Sequence, residues 1–189
     1  MKAKNSFLII LLVPLLGILF SSCYWRSLHP LYTKNNLVMD STILGSWSDN
    51  SSTWNISKGT DTSYVVSIIS NEKEIKFIGH LVKLNNYYFL DILPDKDKIL
   101  DTDYATYLES VHSFSRIWIY KDSIQTADIN YDWLKKKLAE KNQTLKFEWL
   151  SEERILFTAS TQELQQFVTK FADDTLAFST KQTSYRKIN

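Results

Sequence analysis

The chain has 189 residues, 23% of them charged, with a formal net charge of +1 and a single cysteine. So even a balance excludes the strongly basic surface that nucleic-acid binding requires, and one cysteine excludes an internal disulfide. Six tryptophans, ten tyrosines and ten phenylalanines exclude a disordered stalk and point to a folded, aromatic-rich body of one domain.

The first element is a leader. Lys2 and Lys4 make a basic start, and Phe7 to Phe20 is an uncharged run of fourteen residues. As helix that run would be roughly 21 Å long, short of the about twenty residues a spanning helix needs. Small residues Ser21 and Ser22 follow, then Cys23. Basic start, short apolar middle and small end predict a secretory signal over residues 1–22. Its removal takes away two lysines and no acid, so 22 basic residues become 20 against 21 acidic.

This pattern resembles the bacterial lipoprotein signal, in which a leucine or similar residue and small residues precede the cysteine. Here Leu19, Phe20, Ser21 and Ser22 precede Cys23, with Phe20 standing where leucine is usual. The resemblance implies a diacylglycerol on the Cys23 sulfur, cleavage before it, acylation of the new amine and membrane attachment through those chains. Two or three acyl chains, each burying CH₂ groups at about 0.8 kcal/mol, make a lasting anchor where one does not. The absence of aspartate at Tyr24 implies, by the same resemblance, the outer membrane of a double-membraned envelope. The lack of a following acidic run implies the periplasmic face rather than surface display.

Residues 23–42 read as a lipidated tether that partly packs on the body. His29-Pro30-Leu31-Tyr32 holds a turn-former and Lys34-Asn35-Asn36 is polar. The domain, 43–189, opens with strand-and-turn patterning. Leu44–Trp47, Thr53–Ser57, Ser63–Ser70, Ile75–Leu84 and Tyr87–Leu93 predict strands, with turn clusters near residues 49, 59, 71 and 85. Both faces of several strands are partly apolar, which fits a curved sheet closed on itself. Pro94–Ser110 is a charged loop. Strands resume over Val111–Tyr120 and Ile124–Ile129. Asn130 caps a predicted helix over Tyr131–Lys141 with Tyr131, Leu134 and Leu138 on one face. Leu145–Leu150 and Arg154–Thr158 predict two more strands. Ser160-Thr161-Gln162-Glu163 is a capping box, and Leu164, Phe167, Val168 and Phe171 give the spacing of an amphipathic helix reaching about Ala172, expected on the barrel wall or across its mouth. Thr175–Ser184 predicts an edge strand.

Gly45-Ser46-Trp47 in the first strand looks like the Gly-x-Trp signature of lipocalin-like barrels. That resemblance implies a mainly β fold, an antiparallel meander closed as a barrel, in which the tryptophan plugs one end and the glycine permits close packing. The second lipocalin motif is not evident, and the helix near Tyr131 is additional. The whole chain also resembles the small uncharacterised lipoproteins of bacterial envelopes, on Cys23, the linker through His29-Pro30-Leu31-Tyr32, the Leu-Gly-x-Trp strand and the Thr158-Ala159-Ser160-Thr161 helix start.

For chemistry, His29, His80 and His112 lack metal-ligand spacing and have no free cysteine to join. Neither a metal site nor a cofactor is expected. No Gly-x-Ser-x-Gly or phosphate-cradling loop is present, and Ser113 and Ser115 alternate beside His112 in a strand. The residues that invite a hydrolase are the Asp91, Asp95, Asp97, Asp101 and Asp103 set together with His112, where Asp91 or Asp101 could meet the imidazole. Interleaved Lys96 and Lys98 favour a solvated loop instead, so no catalytic residue is assigned. The aromatics Trp47, Trp54, Phe77, Tyr88, Phe114, Trp118, Phe147, Trp149 and Phe157 either line a cavity or fill a core, and few glycines with many large rings favour filling. The expected activity is therefore non-catalytic: binding of a small apolar ligand or an envelope partner. A structural or assembly role with a filled core is the alternative.

Overall fold

A computed structural model describes residues 24–95, 110–141, 144–178 and 182–188. The leader and Cys23 lie outside them, as do Asp97, Asp101 and Asp103 of the charged loop.

The fold is mainly β, built on a closed eight-stranded antiparallel barrel. Six strands follow one another around the wall: β3 (Gly45–Ser48), β4 (Ser52–Lys58), β5 (Tyr64–Ser70), β6 (Lys73–Leu84), β7 (Tyr87–Pro94) and β8 (Ser113–Ile119). Next comes β9 (Ser123–Ala127), and then β12 (Thr183–Ile188), which closes the ring by pairing with β9 on one side and β3 on the other. The sequence places an edge strand over Thr175–Ser184. The strand instead begins at Thr183 and is no edge. Its alternation, Thr183, Tyr185 and Lys187 inward, is too polar to read as a core strand, because Lys187 lies over the Trp47 ring at 5.0 Å with its charged head free to reach water. Outside the wall, the two-residue β2 (Leu37–Val38) pairs with β6.

The turns follow from local chemistry. Asn50, Asp61, Asn71, Glu72 and Asn85 all have positive φ. Four of the five are Asn or Asp, the types that tolerate this region best after glycine. Gly45 is required for a different reason: its φ is +128°, and a Cβ there would lie 3.1 Å from Lys187 Cε. No other residue type adopts that backbone without strain.

Two cores share the wall. Inside the barrel, Ile43, Trp47, Ile56, Tyr64, Val66, Leu81, Leu90, Ile117, Ile124 and Tyr185 pack together. The opposite, outward faces of β6 to β9 present Val82, Leu84, Phe89, Phe114 and Ala127 to a second core. That is the physical cause of strands apolar on both faces. The second core is capped by two helices and a small sheet. α1 (Tyr131–Leu138) buries Leu134 and Leu138, with Asn130 Oδ1 accepting from Trp133 N at 3.0 Å. α2 (Thr161–Lys170) buries Leu164, Phe167 and Val168 behind its capping box, with Ser160 N donating to Glu163 Oε2 at 2.8 Å. It therefore lies on the outer wall.

β10 (Phe147–Ser151) and β11 (Arg154–Phe157) do not extend the barrel. They form a separate three-stranded sheet with β1 (Tyr24–Ser27), which runs parallel to β11. The segment expected as a tether is thus part of the body from Tyr24 onward: Trp25, Ser27 and Leu31 are buried. Trp25 packs on Phe114 at 4.6 Å and Phe157 at 5.6 Å between ring centres, and its Nε1 donates to Ile129 O. Among the described residues, no helix is long and apolar enough to cross a membrane.

Candidate functional site

The two ends of the barrel differ. At one end the chain enters through Asp40–Leu44 and seals it. Tyr64 is fully buried, its hydroxyl accepting from Asp40 N at 2.7 Å. Trp47, also fully buried, donates from Nε1 to Ile43 O at 2.8 Å.

The other end is open as a cleft of about 310 Å³, at the lower bound of small-molecule pockets. Its floor is the Trp54–Tyr185 pair, ring centres 4.7 Å apart. Cross-strand alternation places Ser113 and Ser115 of β8, Thr126 of β9 and Thr183 of β12 on the lining, with Ile92 of β7 the apolar contribution opposite Ser113. β1 passes beside the opening and supplies Tyr24, Trp25 and Arg26, while Asp128, Ile129 and Tyr131 complete the rim. Two charges face the space. Asp128 accepts a short hydrogen bond from Ser115 Oγ. The Arg26 guanidinium donates to Trp25 O and lies over the Tyr24 ring. Tyr185 keeps its proton well above neutrality: burial raises its pKa first, and the nearby charges of Asp49 and Asp128 add to this against hydrogen bonds with Ser52 and Thr126. The cleft therefore offers aromatic faces below, a ring of hydroxyls at the sides and one charge of each sign at the lip.

The residues singled out from sequence scatter. Trp47 is core at the sealed end. Trp54 is the cleft floor and Phe114 part of its edge. Phe77 and Tyr88 pack half-buried against the inner core. Trp118 is not inside the barrel; it faces outward, under the Arg116 guanidinium at 4.5 Å. Trp149 belongs to neither the barrel mouth nor a core: it is 44% exposed on the small sheet, where it lines an open surface hollow with Lys135, Ser151 and Glu152. The lining that matters at the mouth, Ser113, Ser115, Thr126, Thr183 and Tyr185, was not assigned a binding role. Its one signal is polar residues at the inward positions of strands whose other positions are apolar.

Asp91 does meet His112, with Oδ1 and Nδ1 2.7 Å apart. The pair lies in the outer core, and Asp91 is fully buried. Its second oxygen accepts from Leu31 N at 2.7 Å, and the His112 backbone exchanges two hydrogen bonds with Ser27. The carboxylate thus fastens the N-terminal segment to the barrel wall. Neighbouring His80 stacks on Tyr32 with ring centres 4.2 Å apart, and its Nδ1 is sealed without a hydrogen-bond partner among the described residues. Burial chiefly, then the His112 charge, lowers the His80 pKa against the pull of Asp91. Ser27 Oγ is committed to His29 O. Among the described residues no group of three His, Cys, Asp or Glu side chains gathers to hold a metal. No family model matches the chain, and no curated protein or solved structure is detectably similar to it.

Proposed function

We propose that the protein is a membrane-anchored, non-catalytic binding module of the bacterial envelope, held by acylated Cys23 and taking one small amphipathic molecule in the mouth of its barrel. The observation that carries this is the asymmetry of the barrel: one end solid with Trp47 and Tyr64, the other a 310 Å³ cleft floored by Trp54 and Tyr185 and walled by hydroxyls. An aromatic floor suits the apolar face of a ligand, since ring contacts bury large apolar area. Ser115 and Thr126 are already engaged by Asp128 and Tyr185, but the hydroxyls of Ser113 and Thr183 on the same lining suit a ligand that carries its own hydroxyls, amides or an ester, because a buried polar group left unpaired costs free energy. The expected apolar ligand is narrowed by this lining to one with a polar head. The solid inner half also favours a second reading, a structural or assembly role without a ligand.

The test is native mass spectrometry of the body, gently purified, followed by titration of Trp54 fluorescence with any molecule found. Retention of a small molecule by the wild type and its loss in Ser115→Phe, which fills the mouth, supports binding. A bare protein, with no saturable Trp54 response across hydroxylated amphiphiles, overturns it in favour of the structural role.

A further inference from the structure

We infer that the body has a fixed seat on the bilayer, and that the β10–β11 hairpin, through Trp149 and Leu150, is the surface that enters the lipid headgroup layer. The inference rests on the anchored reading above and adds an orientation and a contact to it. Tyr24, the residue directly after Cys23 in the sequence, is already strand. Its amide donates to Glu153 O at 3.0 Å, in the turn of that hairpin, and its hydroxyl accepts from Arg154. Consecutive Cα atoms are about 3.8 Å apart, so acyl chains on Cys23 would have no leash. Whatever surrounds Tyr24 must lie against the membrane.

What surrounds it is suited to that. In register, Trp25 pairs with Ile155 and Ile155 with Trp149, so Trp149 stands two strands, roughly 10 Å, from Trp25, the neighbour of Tyr24. Trp149 is 44% and Leu150 53% exposed, although they point to opposite faces of β10. Trp149 meets the Phe147 ring edge-on at 5.8 Å between centres, yet both faces of the strand end still expose apolar surface, and β10 is the edge of its sheet. An apolar strand end left bare in water needs a partner, and tryptophan is the side chain most at home at headgroup depth. Lys135 lies 5.8 Å from the Trp149 ring, placed to keep its ammonium among phosphates while the ring goes deeper. Glu148, Glu152 and Glu153 offset Lys135, Lys136 and Arg154 in this region. Apolar insertion, not charge attraction, therefore holds the contact.

The experiment uses the full chain, expressed with its leader and reconstituted in vesicles of phosphatidylethanolamine and phosphatidylglycerol brominated near the acyl carbonyls. Mass spectrometry of the N-terminal peptide reports acylation separately. The expected result is an acylated chain whose tryptophan emission is quenched by the lipid bromines. Most of that quenching should disappear in Trp149→Phe, and it should be insensitive to salt. Inserting a Gly-Ser leash between Cys23 and Tyr24 should keep the chain in the vesicles while reducing the quenching. Equal quenching in wild type and Trp149→Phe, with acylation intact, overturns the seat and leaves the anchor. An N-terminal peptide without acyl chains overturns the anchor, and the seat with it. Protection of the hairpin in native membranes but not in vesicles assigns the surface to a protein partner and likewise overturns the lipid contact.

Discussion

The sealed end and the open end of the barrel are made from the same strands, yet they are built on opposite rules. At the sealed end the two large polar-bearing rings are fully buried and their polar atoms satisfied: Trp47 by Ile43 O, Tyr64 by Asp40. At the mouth the inward positions carry Ser113, Ser115, Thr126 and Thr183 around two rings. Hydroxyls contribute little to a core and are costly there when unpaired. A barrel only needing to be stable would continue the sealed end's packing to the mouth. The difference separates the part that holds the fold from the part free to do something else.

That separation is most directly broken by a pair of truncations. Trp47→Ala removes a fully buried indole and orphans Ile43 O, so it should cost about 3–5 kcal/mol. Against a total stability of about 5–15 kcal/mol, this brings the protein near unfolding. Trp54→Ala removes a half-buried ring whose main contact is Tyr185, and should cost about 1–2 kcal/mol. Urea denaturation of the two variants decides the matter, and equal losses would mean that the mouth is as much core as the plug.

Gly45→Ala tests the sealed end by another route and should cost roughly 1–3 kcal/mol. Two effects are mixed in it: a φ of +128° and the approach of Lys187. The lysine is the flexible end of an exposed chain and can move, whereas the backbone cannot. Adding Lys187→Ala should therefore recover little of the lost melting temperature. Full recovery would make the contact, not the dihedral, the reason for glycine.

A smaller effect belongs to the outer core. The His80 pKa lies below its ordinary value in the folded protein, chiefly through burial. The unfolded chain then binds more protons than the folded one as pH falls through the ordinary histidine range, about 6.5. Stability contributed by neutral His80 is present above that range and is lost as pH falls toward the folded value. Tyr32, Asp91 and His112 face the same ring. His80→Phe should flatten this part of the pH–stability curve, while a slope unchanged below pH 6.5 would assign the acid sensitivity elsewhere.

Strands, turns and both helices were legible in the sequence because their causes are local. Asn50, Asn71 and Asn85 are turn-formers wherever they fall, and Ser160 with Glu163 caps a helix without help from the rest of the fold. The Gly45-Ser46-Trp47 tripeptide led to the correct barrel for the same reason, since dihedral and plug are properties of three consecutive residues. The parallel β1–β11 pairing was not legible. It joins four residues at Tyr24 to a partner near residue 154, and no period or composition in either strand records the other. The closing role of β12 was hidden by Lys187, whose long stem reaches over the Trp47 ring and does apolar work that its charge conceals. Asp91 and His112 could be named as a pair but not located, because the outward face of β7 becomes interior only once the N-terminal segment covers it.

The smallest expected effect is the most informative about the mouth. Ser113→Ala and Thr183→Val each remove one lining hydroxyl from a half-buried position without opening a void. Neither hydroxyl supports a wall strand, whose backbone bonds are made with its neighbours. Stability should therefore change by no more than about 0.5 kcal/mol, the range of ordinary surface substitutions. A bound molecule that uses those hydroxyls would lose about 0.5–1.5 kcal/mol per hydrogen bond, roughly a twofold to tenfold weakening per site, read by titration of Trp54 fluorescence. Unchanged stability with weakened binding is the signature of residues placed for a ligand. A loss of stability comparable to Trp54→Ala would instead mean that the hydroxyls are satisfied within the wall, and that the two ends of the barrel differ in composition but not in purpose.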